Sequence, residues 1–277
     1  MPVVEAEQPP RSVRRGKGKS DAIDAHLAVL ASLRLDAARL PTPRVDGDRE
    51  ALRILLGARH DLTNASTAQT NRLRALLLGG GNDIDRDLAR GVLSDAVLAE
   101  LASRPLPVGA DHEQTVRHGE IRRLALAVRD AAQALKDNRA QLQAIVDDLA
   151  PGLTERRGIG PVTAAQVIVS FSHAGRCPND AAFAALSGTS PLEASSGRTV
   201  RHRLNRGGDR ALNSALHTIA MTRMRCCPRT KAYVARRTAE GKTTREIRRC
   251  LKRYIARELH RALTATMTVT TAPDSPA

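Results

Sequence analysis

Apolar residues recur at steps of three and four along most of the chain, which is the spacing of one face of an α-helix. The pattern is longest in residues 48–78 and 113–150, and another helical segment begins at Asp21. We therefore predict a mainly α-helical protein. Its two longest helices, separated by a loop, are expected to form an antiparallel hairpin or a coiled-coil arm.

Glycine and proline interrupt the helical pattern at positions that suggest domain boundaries. Leu40-Pro-Thr-Pro ends the first helical segment, Gly79-Gly-Gly-Asn ends the first long helix, and Pro151-Gly152 ends the second. Residues 82–112 are loop-rich, with one or two short helices expected. The predicted divisions are an amino-terminal segment 1–46, a helical arm 47–150, a compact helical domain 151–263 and a disordered tail 264–277.

The composition narrows the class of protein. The chain has 277 residues with no Trp, two Tyr and two Phe, so its cores must be made of small aliphatic side chains, and base-stacking platforms are disfavoured. No apolar run is as long as a membrane span, and no signal peptide is visible. Four Cys and eight His show no metal-ligand spacing. Reduced thiols in a cytoplasmic protein are expected, with no membrane partner.

The positive charge is concentrated in one part of the chain. The net charge is +15, and residues 196–261 contain 19 Lys and Arg against four Asp and Glu. The rest of the chain is balanced. A one-signed field of this kind attracts polyanions, so the charge indicates nucleic acid as the partner rather than a small acidic substrate.

A Gly-x-Gly turn precedes the basic region. The segment around Gly158 and Gly160 predicts a helix, a tight turn and a second helix, an arrangement called a helix-hairpin-helix. Glycines allow close backbone approach, and the second helix presents free N–H groups and the positive end of its dipole. Both glycines are thus candidates to contact a nucleic-acid backbone. The alternative is an ordinary turn between helices.

Two acidic residues begin the first helical segment. Asp21 and Asp24 lie three residues apart, so their carboxylates share one helix face and could hold a divalent cation with several waters. The alternative is that Asp21 caps the helix and Asp24 interacts favourably with its dipole.

A serine pair stands among arginines in the basic region. Ser195 and Ser196 are followed by Gly197 and by four arginines that could hold a phosphate and stabilise a five-coordinate transition state. A serine needs activation to act as a nucleophile. Alternatively, Ser-Ser-Gly is a simple turn and the arginines bind a backbone without chemistry. The arginines are Arg198, Arg201, Arg203 and Arg206.

These segments resemble a known family. GKSDAIDAHLAV is similar to the end of the DEDD motif in a large family of bacterial insertion-sequence transposases. RRGIGPVTAAQVI, FAALSGTSPLEASSGRTVRHRLNRGGDRALNSALH and TREIRRCLKRYIARELHRAL resemble the carboxy-terminal transposase domain of that family. The resemblance extends from about residue 3 to residue 263. It is more specific than any single motif, because several long segments match in order.

The resemblance implies a fold and a function. Family members join an RNase H-like α/β domain to a helical arm and a small transposase domain with a serine nucleophile. They resemble recombinases guided by a structured RNA. By this resemblance Ser196 is the nucleophile, and Asp21 and Asp24 are the last two of four acids that bind Mg²⁺. The expected partners are DNA, a guide RNA and further copies of the chain, in a bacterial cytoplasm and near the nucleoid.

The chain also departs from the family pattern. The first Asp and the Glu of the DEDD set have no match in it, because Glu5 and Glu7 do not lie where the family has its Glu. Residues 1–46 are therefore interpreted as a remnant of the RNase H-like domain, either in a truncated copy or in a reading frame given too late a start, with one short strand in residues 1–8. Made as written, the chain is expected to bind nucleic acid without cutting it. A non-catalytic binding remnant is the main alternative function, and a dimerising scaffold is a third.

Overall fold

A computed structural model describes residues 21–33, 47–80, 83–193, 202–203, 205 and 207–267, with only the backbone for Ala31, Glu193, His202 and Arg203. The described part is mainly α-helical, as predicted. Its elements, in order, are α1 (Asp21–Leu33), α2 (Asp48–Gly79), α3 (Asp83–Arg90), α4 (Asp95–Ser103), α5 (His112–Leu149), α6 (Pro161–Phe171), α7 (Asp180–Leu186), β1 (Leu192–Glu193), β2 (His202–Arg203), α8 (Arg210–Cys226), α9 (Pro228–Ala239) and α10 (Thr244–Met267).

The long helices begin and end within a residue of the positions predicted for them, and the region between them contains the two short helices α3 and α4. Helix α10 continues past Leu263 to Met267. The strand predicted in residues 1–8 lies outside the described residues. None of the described helices is both long enough and apolar enough to cross a membrane.

The chain divides into two compact units. The middle unit is Leu52–Ile145, and the other unit consists of Met1–Ala51 with Val146–Ala277. We call the second one the carboxy-terminal unit. In the middle unit, apolar side chains of α2 and α5 bury a common core with α3 and α4. This core contains Leu73, Leu77, Ala89, Leu98, Leu101, Ala102, Ile121, Leu124, Ala125 and Val128.

Three hydrogen bonds establish that α2 and α5 run antiparallel. Arg117 Nη1 donates to the carbonyl of Leu76 at 2.9 Å, and Arg59 Nη1 donates to the carbonyl of Leu135 at 3.0 Å. The buried Asn138 donates from Nδ2 to the carbonyl of Leu55 at 2.9 Å. Residue numbers fall along α5 as they rise along α2. The middle unit is therefore built on an antiparallel helical hairpin; a coiled coil stays a prediction.

The carboxy-terminal unit is built around α8 and α10, which contact each other and α6. Helix α10 buries residues at nearly regular four-residue steps, among them Ile247, Leu251 and Ile255. The ring of its buried His260 contacts those of Phe171 and Phe183, edge-on to Phe171 and tilted to Phe183. The ring centroids of His260 lie 5.8 Å from those of both Phe171 and Phe183. Burial of these side chains leaves the charged residues of α8 and α10 on the surface.

Candidate nucleic-acid interface

The first glycine of the predicted turn packs against the protein itself. Gly158 has a φ of +81°, and a Cβ there would lie 3.0 Å from Cγ of Arg223 and 3.1 Å from the carbonyl oxygen of Ile219, both on α8. Only glycine combines this backbone conformation with such close packing. The contact with α8 thus explains why glycine stands at position 158. The sequence pattern alone instead predicts a contact between Gly158 and a nucleic-acid backbone.

The second glycine faces open space. Gly160 is the N-cap of α6, with Pro161 at the first helical position, and a Cβ at Gly160 would meet nothing within 4 Å. Its N–H donates to Thr163 Oγ1 at 3.0 Å. The preceding residues form successive i to i+3 turns from Ala150 to Ile159 instead of a regular helix. Gly160 therefore remains open to a backbone contact with a ligand.

One carboxylate, that of Glu258, binds two arginines beside this turn. Arg223 donates to both oxygens of Glu258, at 2.7 and 3.0 Å, and Arg156 lies 3.4 Å from the same group. Arg223 Nε also donates to the carbonyl of Arg157 at 2.7 Å. These arginines link the turn to α8 and α10. Because they are already bound to a carboxylate, they are expected to attract a nucleic acid less strongly than an unpaired arginine would.

A second carboxylate neutralises the end of α10. Asp180 accepts from Arg257 Nε at 2.9 Å and from Arg261 Nη2 at 2.8 Å. Hydrogen bonds from Arg257 and then Arg261 lower the pKa of Asp180 below its usual value. The carboxylate consequently stays charged at neutral pH and compensates part of the positive charge of both arginines.

Two glycines from separate loops cross in close contact before α8. A Cβ on Gly208 would lie 2.6 Å from Cα of Gly188 and 2.7 Å from the carbonyl oxygen of Leu186. Asp209, the N-cap of α8, donates its N–H to that same carbonyl at 2.7 Å. Its carboxylate accepts from Leu212 N and from Ser170 Oγ. The Leu-Ser-Gly segment 186–188 and the Gly-Gly-Asp segment 207–209 therefore fold into one local structure.

A cleft of about 480 Å³ opens beside this crossing. Lys252 of α10 donates from Nζ to Asn213 Oδ1 at 2.6 Å, and Asn213 Nδ2 donates to the carbonyl of Ser187 at 2.6 Å. Among the described residues, the lining contains three basic side chains and no carboxylate. The lining residues are Gly188, Asn205, Gly208, Arg210, Asn213, Ser214, His217 and Lys252.

Positive charges in the cleft disfavour one another. Burial, followed by the charges of Lys252 and Arg248, lowers the pKa of the His217 imidazole. Burial, followed by the charge of Arg248, lowers the pKa of the Lys252 ammonium. Both shifts have the direction expected when cations crowd together in a partly desolvated site. An anion in the cleft would relieve both effects.

The predicted catalytic residues are described only in part. Ser196, Arg198, Arg201 and Arg206 lie outside the described residues. Arg203 pairs with Leu192 in the short antiparallel β1–β2 ladder, so the backbone positions that flank residues 194–201 are neighbours.

Asp21 and Asp24 both lie in the first turn of α1. Asp21 is exposed and Asp24 is half-buried. Two carboxylates suit a Mg²⁺ ion that keeps waters and takes substrate oxygens as further ligands. Within the described ranges, no three His, Cys, Asp or Glu side chains lie close enough together to hold a metal ion. Asp21 and Asp24 thus fit Mg²⁺ only as part of a ligand set.

Sequence reasoning missed Asn213, His217 and Lys252. Asn213 and His217 are four residues apart, as are Arg210 and Ser214, so these polar residues share a face of α8 opposite the buried Leu212 and Leu216. The spacing of these polar residues could have been recognised in the sequence. The position of Lys252 could not, because Lys252 reaches the cleft from another helix, 39 residues after Asn213.

Comparison with known proteins defines the class of this chain. The model for the "Transposase IS116/IS110/IS902 family" matches residues 151–235, and a DEDD transposase model of the IS110 type matches residues 3–80. The chain is also similar to the insertion element IS110 uncharacterized 43.6 kDa protein of Streptomyces coelicolor. The identity is 27% over 268 residues, covering 82% of this chain.

These matches are characteristic of an insertion-element transposase, and the chain belongs to the IS110 family of such proteins. It spans 66% of the length of its Streptomyces relative. The predicted family is confirmed. The serine nucleophile, the guide RNA and the metal ion stay predictions.

Proposed function

We propose that the chain acts in DNA transposition, binding DNA and a structured guide RNA through its carboxy-terminal unit and using Ser196 to cleave and rejoin strands. Membership of the IS110 family supports the reaction type. The observation that carries the binding function is the set of three basic side chains around the cleft, with no carboxylate among the lining residues that the structure describes. Phosphate contacts of this kind give affinity without sequence preference.

The proposed chemistry is a pair of transesterifications. Ser196 Oγ attacks the phosphorus of a DNA phosphodiester, an Oγ–P bond forms, and one P–O bond of the strand breaks. The leaving oxygen takes up a proton, and the serine proton passes to solvent or a neighbouring base. In the second step a strand hydroxyl attacks the same phosphorus and releases Ser196. The number of phosphodiester bonds is unchanged, so no external energy source is needed.

Asp21 and Asp24 are the residues that would hold Mg²⁺ in this proposal. The ion would stabilise negative charge on oxygens of the reacting phosphate. The resemblance assigns four acids to the family, of which these match two. We therefore propose that strand chemistry requires a DEDD segment supplying the other two acids, whereas nucleic-acid binding requires only the present chain.

A covalent-adduct assay tests the nucleophile. End-labelled DNA that includes the ends of the element is incubated with Mg²⁺ and the chain, with and without an added DEDD segment from a family member. Denaturing gels then show any label attached to protein. We expect an adduct that Ser196→Ala abolishes and that Ser195→Ala, the matched neighbour, retains.

Two results would change the proposal. An adduct that persists in Ser196→Ala would assign the nucleophile to another residue. Salt-sensitive binding without any adduct, even with the DEDD segment added, would support the non-catalytic binding function.

A further inference from the structure

We infer that the cleft between α8 and α10 is a binding site for one backbone phosphate of a nucleic acid, held by Lys252, His217 and Arg210. The inference rests on the proposed function in that it takes nucleic acid as the partner. It goes further by assigning one phosphate to one place in the fold. Ser196, Arg198, Arg201 and Arg206 lie outside the described residues and are not used to define this site.

The first argument is a contrast between cations on the same helix. Arg257 and Arg261 of α10 share the carboxylate of Asp180. Lys252, also on α10, faces a cleft whose described lining residues include no carboxylate. The nearest acid along the chain from the lining residues of α8, Asp209, already accepts from Ser170 Oγ and Leu212 N. The charge that neutralises Lys252 is therefore best supplied by a ligand.

The second argument is the fixed position of the Lys252 ammonium. An ammonium has three donors, and one of them is directed at Asn213 Oδ1 at 2.6 Å. Asn213 is itself fixed by its hydrogen bond to the carbonyl of Ser187, next to the Gly188–Gly208 crossing. A lysine side chain held in this way loses little further conformational freedom when it binds an anion. Asn213 is thus a positioning residue for Lys252.

The third argument concerns size and chemistry. A cleft of about 480 Å³ is in the range of small-ligand sites and can admit a phosphate with part of its nucleotide. Arg210 and His217 lie on the same face of α8 as Asn213, and Ser214 adds a hydroxyl. Several donors converging with positive charge suit a phosphate, which accepts through more than one oxygen.

Neighbouring cations also favour an anion. Arg248, one turn before Lys252 on α10, adds its charge to that of Lys252, and both charges disfavour protonation of His217. The like charges of Arg248 and Lys252 repel each other. A phosphate bound between them is attracted to both, so it makes the electrostatic energy of the cleft more favourable. The pKa of His217 should consequently rise when the phosphate binds.

Fluorescence anisotropy with a labelled 20-base-pair duplex tests the site through Lys252→Gln and His217→Gln. Glutamine at position 252 can still donate to Asn213, so the variant removes charge with little structural change. We expect about tenfold weaker binding for Lys252→Gln and a salt slope smaller by about one unit. Arg261→Gln is the matched control, since it also removes one charge from α10, but from a side chain that shares the carboxylate of Asp180 with Arg257. It should change affinity by less than about twofold.

Magnetic resonance of the His217 ring identifies the source of the phosphate. The ring signals are followed during titration with a 12-nucleotide DNA strand, with thymidine monophosphate and with inorganic phosphate. A shift and a raised pKa with the DNA strand at concentrations where the two small anions have no effect would support the inference. An equal response to thymidine monophosphate would overturn it in favour of a free nucleotide.

The outcomes separate this site from the proposed function. If the wild-type chain binds the duplex and Lys252→Gln binds equally well with the same salt slope, the phosphate site is wrong and the function stands. If the wild-type chain does not bind nucleic acid, both fail. Circular dichroism of each variant shows that the folded fraction is unchanged, and His217→Gln gives a second test if Lys252→Gln unfolds.

Discussion

Arg223 and Glu258 form a bidentate ion pair between α8 and α10, with N···O distances of 2.7 and 3.0 Å. Burial by itself would raise the pKa of Glu258, but the hydrogen bonds and charges of Arg223 and Arg156 outweigh burial and lower it. Arg223 also bonds the carbonyl of Arg157, so the pair connects the glycine turn to both helices. The ion pair is expected to contribute to the stability of the carboxy-terminal unit.

The first prediction concerns acid sensitivity. Because the pKa of Glu258 is lower in the folded state than in the unfolded chain, its contribution is complete above the unfolded value of about 4.3 and is lost as the pH falls through the folded value. Glu258→Gln should therefore be less stable at pH 7 and lose less free energy of unfolding than the wild type on acidification. Urea unfolding between about pH 6 and pH 3 measures this. Glu155→Gln, at an exposed position, is the control; identical acid sensitivity in Glu258→Gln and the wild type would contradict the prediction.

The second prediction concerns the loop crossing. Gly208→Ala would place a Cβ against the backbone of Gly188 and Leu186, which cannot move like a flexible side chain. Overpacking of this kind typically costs about 1–3 kcal/mol, and we expect the upper part of that range. Gly207→Ala is the matched control, since the nearest atom to its Cβ is Asn205 Oδ1 at 3.5 Å. Thermal and urea unfolding followed by circular dichroism measure both; equal stability of the two variants would refute the close crossing.

The third prediction separates the two glycines of the turn. Gly158→Ala should destabilise the protein by about 1–3 kcal/mol, because its positive φ and its contact with α8 exclude a Cβ. Gly160→Ser keeps a favourable N-cap and meets no neighbour, so its stability should stay within about 0.5 kcal/mol of the wild type. If a phosphate of the nucleic acid contacts Gly160, the Gly160→Ser variant should bind nucleic acid more weakly by about 1 kcal/mol or more. Stability from urea unfolding and affinity from anisotropy are measured on both variants, and unchanged affinity in Gly160→Ser would leave Gly160 as a helix cap only.

The helices were predictable because their determinants are local. Periodic apolar residues placed α2 and α5 within a residue of their observed ends, and proline at the first position of α6 marked its start. The partners of Gly158 were not predictable, since Ile219 and Arg223 follow it by more than 60 residues and reach it only through packing. The cleft combines polar residues on one face of α8 with Lys252 of α10. The face of α8 could be predicted from the sequence, but the approach of Lys252 could not.

The fourth prediction tests the arginines that follow Ser196. Replacing Arg201, Arg203 and Arg206 with Ala should weaken binding similarly across unrelated DNA sequences and reduce the salt slope by about one unit per lost phosphate contact. The matched control is a second triple variant with the same loss of charge, in which Arg86, Arg123 and Arg129 of the middle unit become Ala. These three arginines already pair with Asp83, Glu120 and Asp95. Equal losses in both triple variants would show that net charge alone governs binding.

The final prediction decides between a metal-binding and a capping role for the acids of α1. The substitutions Asp21→Asn and Asp24→Asn each remove a negative charge from the first turn of α1. Each should lower the stability by about 0.3–1 kcal/mol, whichever role is correct. Only a metal-binding role also abolishes Mg²⁺-dependent strand cleavage, with the DEDD segment added, while nucleic-acid affinity stays unchanged. Asp48→Asn is the matched control, because Asp48 occupies the first turn of α2 in the same manner. Cleavage by Asp21→Asn and Asp24→Asn at the rate of Asp48→Asn would assign both acids to the helix dipole.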